Sequence, residues 1–290
     1  MAVRYPYTRF GRIVVVRRSP QRPADWQTGP VPAGYRQRLV ADDGTLIQAE
    51  HLPAASGSRD LAIVVAHGFM LHSRHPRLRR VGGWMRDAAG VVLVDLRGHG
   101  GSSGVCTLGW QEVRDVEAAV GWARWLGYRR VATLGFSLGA AVVLRHAALY
   151  GGVDRVAAVS GPGQWYFRGT SRMRLLHQLI LSRSGRLAIR ALRRTRISNV
   201  PWAEPLPIDP VAAAAKIDVP LLVVHGDRDD LFPTDHATRV SAAGRYSTLW
   251  LVPGFGHAEV AVNAALARDV ANWLADGTDV RGDRHWDGIR

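Results

Sequence analysis

The chain has 290 residues, of which 47% are hydrophobic, and this size and composition are typical of a globular protein with one large core. No apolar stretch approaches the roughly 20 residues of a membrane span, and the single cysteine, Cys106, excludes an internal disulfide. The formal net charge of +14 comes almost entirely from arginine, but no nucleic-acid-binding motif accompanies it, so we expect no nucleic-acid partner.

The first 34 residues are basic and rich in proline, which interrupts helices and strands. We therefore expect an arm here rather than a domain. The apolar run at residues 13–16 is closed by two arginines and is shorter than the roughly 7 to 15 residues of a secretory signal. The expected location is the cytoplasm, which also suits a lone thiol.

The remaining chain begins with a hairpin signal and then alternates between apolar and helical stretches. Extended runs at residues 37–40 and 45–51 flank Asp42-Asp43-Gly44, where the Asp-Gly pair predicts a β-hairpin. Short continuous apolar runs are typical of strands buried on both faces, and the helical stretches between them are long enough to connect parallel strands. The predicted strands cover residues 61–66, 91–95, 131–134, 156–159, 221–225 and 249–252, and the predicted helices cover residues 78–89, 110–126, 137–150, 234–243 and 260–274.

Residues 163–210 interrupt this alternation, because they carry two helical runs, at 172–181 and 184–194, and a proline-rich end. We expect a small helical cap inserted after the strand at residues 156–159. Its arginines form either a solvated face or a site for an anionic ligand or a membrane surface. They are Arg168, Arg172, Arg174, Arg183, Arg186, Arg190, Arg193, Arg194 and Arg196.

A candidate nucleophile, Ser137, lies in the pentapeptide GFSLG between a predicted strand and a predicted helix. A serine on such a tight turn has strained backbone angles, and the glycines two residues before and after it supply the clearance that the turn requires. The N-terminus of the following helix faces the place where negative charge develops during acyl transfer. A second match to this pattern, GGSSG at residues 100–104, is not followed by a helix, so Ser102 and Ser103 are interpreted as loop serines.

Polar segments follow the ends of several predicted strands, and such ends meet at one edge of a parallel sheet. In chain order these segments are HGF, DLRGHGGS, GFSLG, HGDRDDLFP and GFGHAE. Together they resemble the α/β-hydrolase superfamily, in particular its cap-bearing esterase, lipase and serine-aminopeptidase-like members, over about residues 35–276. The resemblance implies an α/β fold, with a mostly parallel eight-stranded-type sheet, helices on both faces and a small inserted helical cap.

The domain organisation expected from this resemblance has four parts. Residues 1–34 form the basic, Pro-rich arm, and residues 35–162 together with 211–276 form the hydrolase core. Residues 163–210 form the cap, and residues 277–290 form a C-terminal tail.

The resemblance also implies a catalytic triad of Ser137, His257 and Asp229, with the histidine as the base that activates the serine. The family pattern HG-x-x-D-x-x-x-P selects Asp229 over Asp227 and Asp230. The backbone N–H groups of Phe69 and Leu138 are the expected oxyanion hole.

Other polar residues at these strand ends are interpreted as structural. His67 and His225 precede glycines at strand ends and are expected to bind nearby loops. Asp95, Arg97 and His99 match the family's loop-fixing segment. No metal-ligand spacing such as H-E-x-x-H occurs, and no metal or cofactor is expected.

The expected partner is a small-molecule acyl substrate with an apolar part, cleaved as a carboxylic ester, or alternatively as a thioester or amide, through an acyl-enzyme. Trp165, Tyr166 and Phe167 either line its binding site or pack as ordinary aromatic residues. The same triad also serves an acyltransferase or a serine aminopeptidase, and a non-catalytic binding protein of this fold is the alternative from another class. Peripheral membrane contact through the basic cap stays open.

Overall fold

The structure is a computed structural model that describes residues 11–15, 34–200, 202 and 206–277. The described strands are β1 Gly11–Val15, β2 Tyr35–Val40, β3 Leu46–Leu52, β4 Leu61–Ala66, β5 Gly90–Val94, β6 Arg130–Phe136, β7 Arg155–Val159, β8 Leu221–Gly226 and β9 Ser247–Val252. The described helices are α1 Pro76–Met85, α2 Glu112–Trp125, α3 Leu138–Leu149, α4 Ser171–Leu181, α5 Arg183–Arg193, α6 Pro210–Ala214, α7 Thr234–Ala243, α8 Ala258–Ala261 and α9 Ala264–Asp276. In the part of the chain that the structure describes, every helix is too short or too polar to serve as a transmembrane span.

All described strands belong to one sheet, in the order β1-β9-β8-β7-β6-β4-β5-β3-β2. β2 and β3 form the predicted antiparallel hairpin, with Gly44 of its turn at a φ of 80° that favours glycine. β3 also pairs antiparallel with β5, whereas the remaining neighbours pair in parallel. The mostly parallel α/β sheet predicted from the sequence is therefore confirmed.

The sheet differs from the prediction at one edge. β1 pairs in parallel with β9, so the described residues form nine strands where an eight-stranded type was predicted. This strand lies within the predicted Pro-rich arm. A five-residue run gives little local signal, and its hydrogen-bond partners come from residues more than two hundred positions away. The rest of the predicted arm and the predicted tail beyond Gly277 lie outside the described residues.

Helices cover both faces of the sheet, and the strands show why their sequences are continuously apolar. In β4, Ala62, Val64 and Ala66 pack on the face covered by α2, α3, α6 and α7. The intervening Leu61, Ile63 and Val65 pack on the face covered by α1, α8 and α9. Since successive side chains of a strand point to opposite faces, both faces demand apolar residues.

Residues 163–200, here called the α4–α5 segment, connect β7 toward α6 and contain the two helices predicted for them. Thr170 caps α4, and its hydroxyl also donates a hydrogen bond to the Leu231 carbonyl in the loop after β8. At the other end, Ile197 forms a bridge with Cys106 in the loop after β5. The segment is thus attached at both ends to loops at the carboxyl edge of the sheet.

Candidate active site

Ser137 lies on the turn between β6 and α3 and has the strained backbone angles that such a turn requires. Its φ is 51° and its ψ is −114°, in a region that side-chain-bearing residues rarely occupy. A Cβ atom at Gly135 would collide with the Gly139 carbonyl, and one at Gly139 would collide with the Ala66 carbonyl. The two glycines therefore allow β6, α3 and the end of β4 to approach closely enough to form the turn.

The structure brings together three side chains that are distant in sequence. The Oγ of Ser137 lies 2.9 Å from Nε2 of His257, and Nδ1 of the same ring lies 2.8 Å from Oδ2 of Asp229. A carboxylate oxygen can only accept, so Nδ1 donates to Asp229 and Nε2 is left to accept from the serine hydroxyl. His257 precedes α8 and is 16% exposed, whereas the Asp229 side chain is fully buried.

Asp229 is held by backbone donors as well as by the histidine. Its Oδ1 accepts hydrogen bonds from the N–H groups of Leu231 at 2.9 Å and Phe232 at 3.0 Å. Burial acts to raise the pKa of Asp229, but the hydrogen bond and charge of His257, together with the Phe232 N–H, outweigh burial and lower the pKa below its usual value. The side chain is therefore an ionised acceptor at neutral pH.

The two neighbouring aspartates have other partners. Asp227 accepts a hydrogen bond from the Gly254 N–H at 2.6 Å, which connects the loops after β8 and β9. Asp230 forms an ion pair with Arg172 of α4 at 2.9 Å. Of the three, Asp229 is the one that reaches His257.

Two backbone donors are free next to Ser137. Among the described residues, the N–H groups of Phe69 and Leu138 have no hydrogen-bond acceptor. Leu138 is the first residue of α3, where the N–H groups of a helix lack internal partners. The turn that carries Phe69 lies close to the serine, because a Cβ placed on Gly68 would be 3.3 Å from the Ser137 Cβ.

Glu259 is a residue of this site that sequence reasoning missed. It lies in the first turn of α8, two residues after His257, and is buried. Its Oε1 accepts a hydrogen bond of 2.7 Å from the Gly68 N–H. Burial raises the pKa of Glu259, and the Gly68 N–H acts in the opposite direction. The signal available in the sequence was a carboxylate in the otherwise apolar stretch after Gly-His, in GFGHAE.

The histidines interpreted as structural bind loops around the site. The Nδ1 of His67 donates to the Gly68 carbonyl at 2.7 Å, and its Nε2 accepts from the Leu96 N–H at 3.1 Å. His225 donates from Nε2 to the Phe232 carbonyl at 2.9 Å, which fixes the loop that carries Asp229. Within the described ranges, the His, Cys, Asp and Glu side chains form no group of three or more suited to a metal ion.

The loop after β5 is held by charged and hydroxyl side chains. The carboxylate of Asp95 accepts from the N–H groups of Ser73 at 2.5 Å and Gly101 at 2.7 Å. Arg97 forms an ion pair with the buried Asp115 at 2.7 Å. His99 accepts from the Met70 N–H, in the turn that carries Phe69. This loop therefore supports the neighbouring turn.

The hydroxyl groups of both serines in the GGSSG loop form hydrogen bonds with the backbone of β3. The hydroxyl of Ser102 accepts from the Gln48 N–H at 2.9 Å and donates to the Asp95 carbonyl at 2.5 Å. The hydroxyl of Ser103 accepts from the Leu46 N–H at 2.8 Å. These hydroxyls satisfy the backbone of a strand.

The three consecutive aromatic residues proposed as walls point in different directions. Trp165 donates a hydrogen bond to the Pro207 carbonyl at 3.0 Å and packs against Trp202, whereas Tyr166 is largely exposed. The Phe167 ring contacts Phe232, with 6.1 Å between ring centroids. The Phe232 ring in turn lies 5.8 Å from the ring of His257. Phe167 is thus the member of the three that is connected to His257, through the Phe232 ring.

The family of the chain follows from comparison with known proteins. A protein-family model described as "Alpha/beta hydrolase family" matches residues 63–273. The chain therefore belongs to the alpha/beta hydrolase family, and the membership and fold expected from its sequence are confirmed. A search of curated protein sequences finds no match.

Solved structures with the same fold include several esterases. The esterase Pf2001 of Pyrococcus furiosus is 18% identical, with a TM-score of 0.64 over 91% of this chain and 97% of that chain. RhEst1 of Rhodococcus sp. is 20% identical, with a TM-score of 0.65 over 83% of this chain and 98% of that chain. Est1E of Butyrivibrio proteoclasticus, solved with ferulic acid, is 19% identical, with a TM-score of 0.59 over 83% and 97% of the two chains.

Proposed function

We propose that this protein is a serine hydrolase that cleaves carboxylic esters through an acyl-enzyme on Ser137. The observation that carries the proposal is the continuous hydrogen-bonded order of hydroxyl, imidazole and buried carboxylate. The esterase neighbours of the fold support ester hydrolysis as the general reaction.

In the first half of the reaction, Ser137 attacks the ester carbonyl carbon while His257 Nε2 takes the hydroxyl proton. The negative charge of the tetrahedral intermediate develops on the former carbonyl oxygen. The free N–H groups of Phe69 and Leu138 bind this oxyanion. The intermediate then collapses, and the imidazolium of His257 returns its proton to the leaving alcohol.

In the second half, water attacks the acyl-enzyme, and His257 takes a proton from the water. The second tetrahedral intermediate uses the same two N–H donors, and its collapse releases the carboxylic acid and regenerates the Ser137 hydroxyl. Asp229 holds the imidazole in the tautomer with Nδ1 protonated and stabilises the imidazolium, without itself taking a proton.

The α4–α5 segment, with the residues that follow it to Pro210, is proposed as the cap over this site. Its two ends contact the loop that carries Asp229 and the loop after β5. Phe167 and Phe232 form an apolar surface beside His257, which favours a small acyl substrate with an apolar part. Trp165 and Tyr166 stay candidates for the outer wall.

A fluorophosphonate probe with an intact-mass readout tests the proposal. We expect one adduct on the wild-type chain and none on Ser137→Ala, because the probe requires an activated serine. Replacement of the nucleophile lowers turnover of an ester by about a millionfold. An unlabelled wild-type chain, beside a labelled unrelated serine esterase, would favour a binding protein. Labelling that persists in Ser137→Ala would move the nucleophile elsewhere.

The nature of the acceptor is tested by product analysis. Hydrolysis gives the free acid in water, whereas an acyltransferase gives the acyl product of an added alcohol or amine in preference to the acid. An aminopeptidase would release the N-terminal residue of a peptide. We expect the free acid from a p-nitrophenyl ester, even when competing acceptors are present.

A further inference from the structure

The outer side of α5 is an apolar helix face that no part of the described chain covers. Leu187 and Leu192 are 65% and 81% exposed, and Ala188 and Ala191 beside them are also exposed. These four positions lie on one side of the helix, since residues four apart are neighbours on its surface. Gly185 and Ile189 are the residues of α5 that are buried against the rest of the protein.

Exposed apolar side chains also occur in the chain on both sides of α5. Large exposed apolar side chains are otherwise scattered over the described surface, but several are concentrated in and around the α4–α5 segment. These are Tyr166, Leu175, Leu181, Leu187, Leu192, Val200 and Leu206. A concentration of this kind marks an interaction surface, because isolated exposed apolar residues carry no such meaning.

Arginines without acidic partners border this face. Arg183, Arg190, Arg193 and Arg194 are exposed, and within the described ranges none of their guanidinium groups forms an ion pair or a hydrogen bond. The sequence between residues 163 and 203 contains no aspartate or glutamate. The positive charge of this surface is therefore not neutralised by the segment itself.

The positive charge beside the apolar face limits which kind of partner can bind there. A second copy of the chain would bring the same arginines against each other. Residues 1–33 carry six arginines and one aspartate, and residues 278–290 carry three of each, so neither terminus supplies an excess of negative charge. Duplex nucleic acid would supply phosphates that pair with the arginines, but it would give the leucines no apolar environment in which to be buried.

A membrane surface with anionic lipids satisfies both features. A helix with leucine on one side and arginine beside it lies in the interface, with its apolar side in the acyl boundary and its guanidinium groups at the phosphates. We propose that the outer face of the α4–α5 segment binds the surface of bilayers that contain anionic phospholipids. This binding rests on the surface alone and does not depend on the reaction at Ser137.

Sedimentation of the full chain with vesicles tests the proposal. We expect the protein to sediment with equimolar phosphatidylcholine and phosphatidylglycerol vesicles and to stay in the supernatant with phosphatidylcholine alone. Leu187→Ser/Leu192→Ser should weaken binding about tenfold or more, because two side chains no longer enter the acyl region. Arg190→Ala/Arg193→Ala should weaken it about 25-fold, at about fivefold for each arginine.

Matched controls lie at the other edge of the sheet. Leu149→Ser, at the end of α3, and Arg245→Ala, before β9, also change an exposed leucine and an exposed arginine. Both controls should sediment like the wild-type chain. Unfolding temperature and turnover of a soluble short-chain ester report that the α5 variants remain folded, and neither readout requires vesicles.

Four outcomes would overturn the proposal. The first is no sedimentation with the anionic vesicles at low salt, and the second is equal sedimentation with neutral ones. The third is wild-type binding by both α5 variants, which would move the contact to residues 1–33 or elsewhere. The fourth is binding of duplex DNA, or a dimer that Leu187→Ser/Leu192→Ser dissociates, in the absence of vesicle binding.

Discussion

The Glu259 carboxylate accepts a hydrogen bond of 2.7 Å from the backbone N–H of Gly68, and this contact joins the helix after His257 to the turn that carries Phe69. The carboxylate is buried, and a Cβ on Gly68 would be only 3.1 Å from both of its oxygens. The same short segment therefore positions the proposed base and restrains one of the two proposed oxyanion donors.

Glu259→Ala should lower kcat for a p-nitrophenyl ester by about tenfold to a hundredfold, because the Gly68 N–H loses its buried acceptor and the Phe69 N–H shifts. Glu259→Gln keeps an acceptor oxygen and should recover most of kcat. KM should change little in either variant. An equal loss in both variants, or a loss confined to KM, would contradict this positioning role. Thermal unfolding of both chains is the control.

Asp229→Asn should lower kcat by about ten thousandfold, because an amide at this position favours the wrong imidazole tautomer. Asp227→Asn and Asp230→Asn are matched controls in the same loop, with partners at Gly254 and Arg172 instead of His257. Both should stay within about tenfold of wild type, because neither aspartate contacts His257 and an asparagine at 227 can still accept from the Gly254 N–H. Steady-state kinetics on one ester compare the three variants. A larger loss in Asp227→Asn would reassign the acid.

Gly135→Ala should prevent formation of the native turn that carries Ser137, because the added methyl would overlap the Gly139 carbonyl. The expected result is a loss of fluorophosphonate labelling together with a lower unfolding temperature. Gly121→Ala is the control, since a Cβ at this exposed position of α2 meets no atom within 4 Å. That variant should be stabilised by about 0.5 to 1 kcal/mol. A labelled, stable Gly135→Ala chain would show that the turn tolerates a side chain.

The protein should lose stability as the pH falls below about 6.5. Burial lowers the pKa of His67 to about 4 and that of His99 to about 3, whereas both titrate near 6.5 once unfolded. Between these values the unfolded chain binds more protons than the folded chain, so the free energy of unfolding falls with falling pH. Each histidine contributes up to about 1.4 kcal/mol per pH unit.

Chemical unfolding from about pH 7 down to pH 4 measures this slope. His99→Gln removes one of the histidine rings with a lowered pKa, so its slope should be smaller than that of the wild-type chain even if the variant is less stable at neutral pH. An unchanged slope would show that His99 is not the origin of the acid sensitivity.

The strands of the core could be predicted from the sequence, because two-sided burial makes each of them a continuous apolar run. The prediction for residues 61–66 agrees with β4 at both ends. The prediction of one continuous helix at 260–274 was wrong, because this part of the chain forms two separate helices, α8 and α9. The Asn263 side chain caps α9 by accepting from the Leu266 N–H, and apolar periodicity across the break concealed this capping signal.

The residues of the candidate site could be named from the sequence because each follows the end of a strand in a short motif. The contacts of these residues outside the expected triad could not be predicted from the sequence. The different partners of Asp227, Asp229 and Asp230 depend on where the loop after β9 and helix α4 lie. The contact between Glu259 and Gly68 joins residues 191 positions apart, and no local pattern specifies it.

The attachment of the α4–α5 segment at both ends has a consequence for its proposed role as the cap. A flap that hinges at one end could swing aside as a rigid body, but Thr170 and Ile197 fasten this segment to two separate loops. With this segment as the proposed cap, admission to Ser137 would require bending within the helix pair or passage beneath it. Bulky or branched esters should accordingly be turned over more slowly than slender ones of equal reactivity.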